Sequence, residues 1–231
     1  MIVPTRNEEH NIEPLLKRLG PAVAHLETEI VFVDDSDDST PQVIAASAQA
    51  CAVPVLMLRR QPGARKGGLS GAVIAGARHA RGAWALVMDA DLQHPPEAAA
   101  LLAATALRHN SDIVVGTRYA GSGSPADGLG TLGRTMISSW ATRLAKSAFP
   151  RRLAMVSDPL SGMFAFRRTA VNLDALNPVG FKILLEILVR HPVARVAEVA
   201  YQFAPRHADD SKASLREGVG YLRHLFRLRR A

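Results

Sequence analysis

The sequence predicts an α/β fold, a mostly parallel sheet flanked by helices, and two observations carry that prediction. Short apolar runs alternate with helix-period segments through the first half of the chain, the pattern of strand–helix–strand units. The runs also end in polar clusters, "PTRNEE", "DDSDDST", "DADLQ" and "GTRY". Ligands of a parallel sheet gather beyond the carboxyl ends of its strands, so these clusters should share one edge.

The elements follow in order. Strands are predicted at Ile2-Val3, Glu29 to Val33, Val53 to Leu58, Trp84 to Met88 and Asp112 to Val115, the first of them only two residues long before Pro4. Between the first two, Ile12, Leu15, Leu16 and Leu19 recur at i, i+3, i+4 and i+7, one face of a helix. Thr40-Pro41 supplies an N-cap and a proline at the first helical position for "QVIAASAQA". Pro95, Pro96 and Glu97 open "AAALLAATALRHN" by the same logic. The glycine-rich stretch 119–133 reads as a loop within one domain spanning 1–231, with a basic amphipathic tail from about residue 212.

Composition narrows the class. The 231 residues suffice for one sizeable core, and 48% hydrophobic with 21% charged residues is globular rather than disordered. No stretch approaches the roughly 18 uninterrupted apolar residues of a membrane span, and the start "MIVPTRNEE" lacks the features of a signal peptide. With one cysteine, Cys51, neither an intrachain disulfide nor a cysteine zinc cluster can form. A cytoplasmic protein, peripheral on the cytosolic face of a membrane, is the expectation.

The net charge of +7 is concentrated. Leu132 to Arg152 holds five basic residues and no acidic one, and Tyr201 to the end holds seven basic against three acidic. Such faces suit phosphates or anionic lipid headgroups. Nucleic acid is disfavoured, because only 5% of residues are Phe, Trp or Tyr, few for stacking platforms. In "LGRTMISSWATRLAKSAF", Met136, Ile137, Trp140, Leu144 and Phe149 mix with Arg134, Arg143 and Lys146 as in an interfacial helix. Leu215, Val219, Leu222 and Phe226 repeat the pattern beside Arg216, Arg223 and Arg227, in a tail that could lie on lipid or lead to a membrane anchor or anchoring partner.

The chemistry centres on "VMDADLQHPPE". Asp89 and Asp91 stand at i and i+2 and share a face if the backbone stays extended, and small Ala90 between them admits a ligand to the main chain. Carboxylates and the Gln93 amide suit a hard divalent cation, Mg²⁺ or Mn²⁺, that takes oxygen ligands and shares them with substrate phosphates. Such an ion would neutralise a leaving diphosphate. A phosphatase with Asp-x-Asp after a strand is a weaker rival, since Leu92-Gln93 follow where a threonine region is expected. The glycines of "GARKGGLSGAVIAG" do not fit a dinucleotide fingerprint. His94 is expected to face solvent or cap a helix.

"VPTRNEE", "VFVDDSDDST", "RKGGLSGAVIAG", "MDADLQHPPE", "VVGTRY", "SDPLSGMFAFRR", "GFKILLEIL" and "RHADDSKAS" occur in the order seen in family 2 glycosyltransferases, and the chain most resembles the polyprenol (dolichol) monophosphate mannose synthases among them. The resemblance runs from Val3 to about Leu225. It implies a GT-A (Rossmann-like) fold and metal-dependent, inverting transfer of mannose from GDP-mannose to a polyprenyl phosphate.

Residue by residue, the resemblance implies that Pro4, Arg6, Glu8, Val33, Asp35, Asp89, Ala90, Asp91 and Arg118 form the nucleotide-sugar site. Asp89, Asp91 and Gln93 would hold the metal, with Asp91 and Gln93 nearest it. Arg134, Ser138 and Arg206 would bind the acceptor phosphate, and Asp91, Arg206 and Lys212 would serve catalysis. Arg6 departs from the family's usual tyrosine, so a UDP-hexose donor stays open, as does a non-catalytic nucleotide-sugar-binding protein that docks on membranes. A lipid phosphate is already a charged nucleophile, so no general base is required; alignment and charge neutralisation would suffice.

Overall fold

A computed structural model of the chain describes residues 1–108, 110–118, 132–177, 180, 182–202, 204 and 215–230, with 132–139, 215–217 and 219 defined by backbone alone. Its strands are β1 (Ile2–Thr5), β2 (Ile30–Asp34), β3 (Val55–Arg59), β4 (Trp84–Val87), β5 (Ile113–Thr117), β6 (Phe164–Arg167) and β7 (Val196–Ala200). The helices are α1 (Glu9–Val23), α2 (Thr40–Ala48), α3 (Gly68–His79), α4 (Pro96–Arg108), α5 (Leu132–Ala148), α6 (Ile183–Arg190) and α7 (Leu215–Arg229). Most of the glycine-rich stretch predicted as a loop, 119–131, lies outside the described residues.

The strands form one sheet in the order β3-β2-β1-β4-β6-β5-β7. All run parallel except β6, which is antiparallel to both its neighbours, β4 and β5. Period-two alternation divides the core between the two faces. Ile2, Val31 and Val33 pack with α3 and α6 on one face, where Leu225 and Leu228 of α7 join them. Val3, Ile30 and Phe32 pack with Ile12, Leu15 and Leu19 of α1 and Leu102 of α4 on the other. Glycine lets α3 approach closely: a Cβ on Gly76 would stand 2.6 Å from Ile2 Cγ2 and 2.9 Å from Val33 Cγ2.

The five predicted strands are present, with ends shifted by one or two residues, and two corrections follow. The first strand does not stop at Val3 but continues through Pro4 to Thr5. Proline is tolerated in this interior strand because of where its missing N–H would point. The Ile2 carbonyl accepts from Met88 N on the β4 side, while those of Met1 and Thr5 accept from Val31 and Asp35 on the β2 side. Alternation turns Pro4 toward β4, and the only residue pair joining β1 to β4 is Ile2 with Val87. The two strands part just beyond that pair, where the next ladder bond would need the N–H that Pro4 lacks. The second correction is the pair β6 and β7, both unanticipated. Each has only four or five residues, and "VAEVA" carries little strand propensity of its own.

Candidate active site

The parting of β1 from β4 creates the crevice. Neighbours of β1 in sequence extend to one side of it, through β2 and β3, and β4 lies on the other, so this is the switch point of the sheet, where α/β folds bind ligands.

One lip is built by the ends of β1 and β2. Asp34 is fully buried, and its Oδ1 accepts from Thr5 Oγ1 (3.0 Å) and Ser36 Oγ (2.6 Å). Ser36 Oγ accepts in turn from the Asn7 amide (2.8 Å), and Asn7 Oδ1 accepts from the Asp37 amide (2.9 Å). These bonds hold Asn7 in a left-handed turn, φ 54°, a conformation asparagine tolerates better than most residues. Glu8 is fixed from two sides: its amide donates to Thr40 Oγ1 (2.9 Å) and its Oε2 accepts from Asn11 Nδ2 (2.8 Å). Arg6 is exposed beside them. Pro4 and Val33 are buried in the sheet, leaving main chain as what they offer at the strand ends. Asp35 is buried too, gripped by Arg60. Arg60 Nε donates to Asp35 Oδ1 (2.8 Å) and a terminal nitrogen to Oδ2, while that nitrogen also reaches the Gly68 carbonyl (2.9 Å). Arg60 thus joins Asp35 to the glycine-rich turn that opens α3.

The other lip is the turn after β4. Asp89 and Asp91 are partly exposed, with Ala90 buried between them. The Gln93 amide donates to Asp91 Oδ1 (3.2 Å), and Leu92 sits at φ 60°. A positive φ is a real cost for a leucine, met here by burial of its side chain. The turn is a constrained one that brings Asp89, Asp91 and Gln93 together before Pro96 starts α4.

His94 overturns its expectation. It is 3% exposed, with Nε2 3.3 Å from Asp89 Oδ2 and Nδ1 2.7 Å from Tyr201 Oη. Gly162, in the segment that enters β6, packs against both: a Cβ there would collide with Asp89 Oδ2 and lie 2.9 Å from His94 Nε2. No signal in the sequence announces this, because Tyr201 lies 107 residues away. Asp158 was also missed as an individual residue. Fully buried, it receives Arg118 Nε (2.8 Å) and a terminal nitrogen (3.1 Å). Beside it Ser157 Oγ meets Thr117 Oγ1 (2.5 Å) and the Glu198 carboxylate (3.0 Å).

The basic candidates divide. Arg134 and Ser138 stand four residues apart on α5, hence on one helix face; their side chains lie outside the described residues. So do Arg206 and Lys212 altogether. Ala204, two residues before Arg206 in sequence, donates its amide to the Gln93 carbonyl at 2.9 Å, which ties Ala204 itself to the acidic turn. Phe149, expected on an interfacial face, is instead buried in the core, while Trp140 and Leu144 of α5 and Leu222 and Phe226 of α7 are exposed. The two helices touch, Tyr221 Oη donating to the Ala141 carbonyl at 2.7 Å.

Parallel strands converging on a split between β1 and β4, with an Asp-Ala-Asp turn at its lip, make this a glycosyltransferase of the GT-A type. The chain belongs to glycosyl transferase family 2, whose model matches residues 1–173. It is 40% identical over 229 residues to a dolichol-phosphate mannosyltransferase of Pyrococcus furiosus, covering 99% of this chain and 62% of that one. It is 36% identical over 239 residues to the dolichol-phosphate mannosyltransferase of Saccharomyces cerevisiae, covering 97% and 84%. Among solved structures, glucosyl-3-phosphoglycerate synthase from Mycobacterium tuberculosis, in complex with Mn²⁺, uridine diphosphate and phosphoglyceric acid, has the same fold. The TM-score is 0.67 at 20% identity, over 98% of this chain and 75% of that one.

Proposed function

We propose that the protein transfers mannose from GDP-mannose to a polyprenyl phosphate, with inversion and with a divalent cation, at the cytosolic surface of a membrane. The observation that carries this reading is the Asp89–Asp91–Gln93 turn at the lip of the β1/β4 crevice, in a chain similar over nearly its whole length to dolichol-phosphate mannosyltransferases.

The donor set fits a cation that is shared with substrate. Among the described residues no three His, Cys, Asp or Glu side chains come close enough to enclose a metal. Two carboxylates and an amide are oxygen donors, and Mg²⁺ or Mn²⁺ is commonly held by one or two carboxylates together with substrate phosphates. Asp89, Asp91 and Gln93 would hold it, Asp91 and Gln93 nearest and Asp89 shared with the nucleotide sugar, and when bound it supplies neutralisation of the leaving diphosphate.

The chain's own residues do the rest. The Thr5–Asp34–Ser36 and Asn7–Asp37 bonds keep the nucleotide lip in one shape before substrate arrives, which lowers the ordering cost of binding. Arg118, held by Asp158, adds a fixed cation near the crevice. The acceptor phosphate needs no proton removed; it must be brought up behind the anomeric carbon against the negative diphosphate. Arg134 and Ser138 on α5, with Arg206 and Lys212 beyond the acidic turn, supply the cationic clamp for that approach. No helix among the described residues is long and apolar enough to cross a membrane. Instead Trp140, Leu144, Leu222 and Phe226 stand exposed beside Arg143, Arg223 and Arg227, a surface suited to lie on anionic lipid.

A UDP-hexose donor on the same acceptor is the second reading, favoured by Arg6 in place of the usual tyrosine. The deciding experiment offers GDP-mannose, UDP-glucose and UDP-N-acetylglucosamine with a short polyprenyl phosphate and Mg²⁺ or Mn²⁺. Lipid-linked mannose from GDP-mannose alone is the expected product, absent from Asp91→Ala at unchanged melting temperature. No lipid-linked sugar from any donor would overturn the reading.

A further inference from the structure

We propose that His94 is a positioning residue with two arms, one fixing the carboxylate of Asp89 and the other, through Tyr201, fixing the chain that leads to Arg206. The inference rests on the reading of Asp89 and Asp91 as the donor and metal lip, and goes beyond it by naming what holds that lip to the acceptor side.

The geometry is specific. His94 Nδ1 lies 2.7 Å from Tyr201 Oη and Nε2 lies 3.3 Å from Asp89 Oδ2, so one buried ring spans the gap between β4 and the end of β7. Burial holds the Tyr201 phenol far above its ordinary value, so it keeps its proton at any working pH. When the phenol donates to Nδ1 of the neutral ring, the ring proton sits on Nε2, aimed at Asp89. That bond fixes one oxygen of Asp89. Gly162 closes the other side, since even a methyl group there would occupy the space of Oδ2.

The second arm explains why a tyrosine comes from so far along the chain. Tyr201 follows β7 directly, its amide donating to the Thr117 carbonyl (3.2 Å), and Ala204 is pinned to the Gln93 carbonyl. Tyr201 and Ala204 are therefore tied to the acidic turn separately, one through the His94 side chain and the other through main chain. Arg206 comes two residues after Ala204 in sequence. Loosening partners that orient ligating groups typically costs ~10- to 100-fold in metal affinity or activity.

Two conservative variants separate the arms. Glutamine places an amide N–H near the position of Nε2, and asparagine places its carbonyl near Nδ1. His94→Gln should keep Mn²⁺ affinity, read by the Mn²⁺ electron paramagnetic resonance signal in the presence of GDP, within about threefold of wild type, while raising KM for polyprenyl phosphate about tenfold. His94→Asn should do the reverse, weakening Mn²⁺ about tenfold with acceptor KM nearly unchanged. Tyr201→Phe should behave as His94→Gln does. If all three variants lower only the melting temperature or the active fraction, leaving Mn²⁺ affinity and acceptor KM at wild-type values, His94 is packing alone and the inference is overturned. A wild-type protein that binds no Mn²⁺ with GDP and transfers nothing would instead overturn the functional reading on which it stands.

Discussion

Arg118 and Asp158 face each other edge to edge, two parallel N–H···O bonds of 2.8 and 3.1 Å joining the end of β5 to the segment that enters β6. The carboxylate is wholly buried and the guanidinium nearly so. Removing Asp158 takes this two-bond carboxylate partner away from a nearly buried guanidinium. Asp158→Ala is expected to cost about 3–5 kcal/mol of stability, seen as a lower urea midpoint, and Arg118→Lys should fail to restore the two-bond contact.

Gly162→Ala tests the cradle around Asp89. The added methyl must displace Asp89 Oδ2 or the imidazole of His94. Overpacking of this kind costs about 1–3 kcal/mol, a modest change in melting. Transfer should fall by at least about tenfold, with the loss partly recovered at high Mn²⁺. Activity and metal dependence equal to wild type would show that Asp89 does not need its present orientation.

Arg134→Ala should abolish use of the lipid acceptor while leaving donor binding intact. Arg134 has no acidic residue near it in sequence and shares a helix face with Ser138. Steady-state kinetics with varied acceptor, alongside calorimetric binding of GDP, separates the two effects. Unchanged acceptor kinetics would remove the residue from the site.

Trp140→Ser combined with Phe226→Ser should weaken binding to vesicles containing anionic lipid, read by sedimentation, without changing turnover of a detergent-solubilised short-chain acceptor. These side chains are 65% and 66% exposed, so the fold gives them little to do. Raising salt should weaken the wild type further, because the flanking arginines act through screened charge.

The Asp112–Arg195 pair gives a pH dependence of known sign. Arg195 Nε (2.9 Å), a terminal nitrogen (3.0 Å) and the Arg195 amide (3.0 Å) all donate to Asp112, tying the start of β5 to the start of β7. The Arg195 bonds hold this carboxyl down at about 2, against roughly 3.9 for a free aspartate. Its contribution is therefore complete above about pH 4 and lost as pH falls through about 2. The urea midpoints of wild type and Arg195→Ala should differ by a constant amount at neutral pH and converge on acidification. Because Arg195 is half-exposed, the gap is expected to be small.

The polar edge of the sheet was legible in the sequence because the residues that follow parallel strands gather along one edge, where local pattern alone locates them. Asp35, Asp89 and Asp91 could be found that way. β6 could not, since four residues of an antiparallel strand inserted between β4 and β5 have no crossover helix to announce them. His94 was legible as a residue and illegible as a role. Beside Pro95-Pro96 it reads as a surface position, and only the fold delivers Asp89, Gly162 and Tyr201 to it. Asp158 was hidden likewise, because its partner Arg118 precedes it by 40 residues. Residues placed by a local turn were visible; contacts made by a distant partner were not.

The reversed direction of β6 has a consequence for how the molecule comes into being. It lets Gly162 enter at the same edge where β4 leaves, so the wall of the crevice is closed by chain made well after the acids it holds. The His94–Tyr201 contact closes over 107 residues, the kind of separation that slows folding. On a ribosome the acids emerge first and stand without their supports until the segment from Gly162 to Tyr201 has been synthesised. A nascent chain with Asp89, Asp91 and half a sheet still lacks Gly162 and Tyr201, the two groups that fix the acids in place.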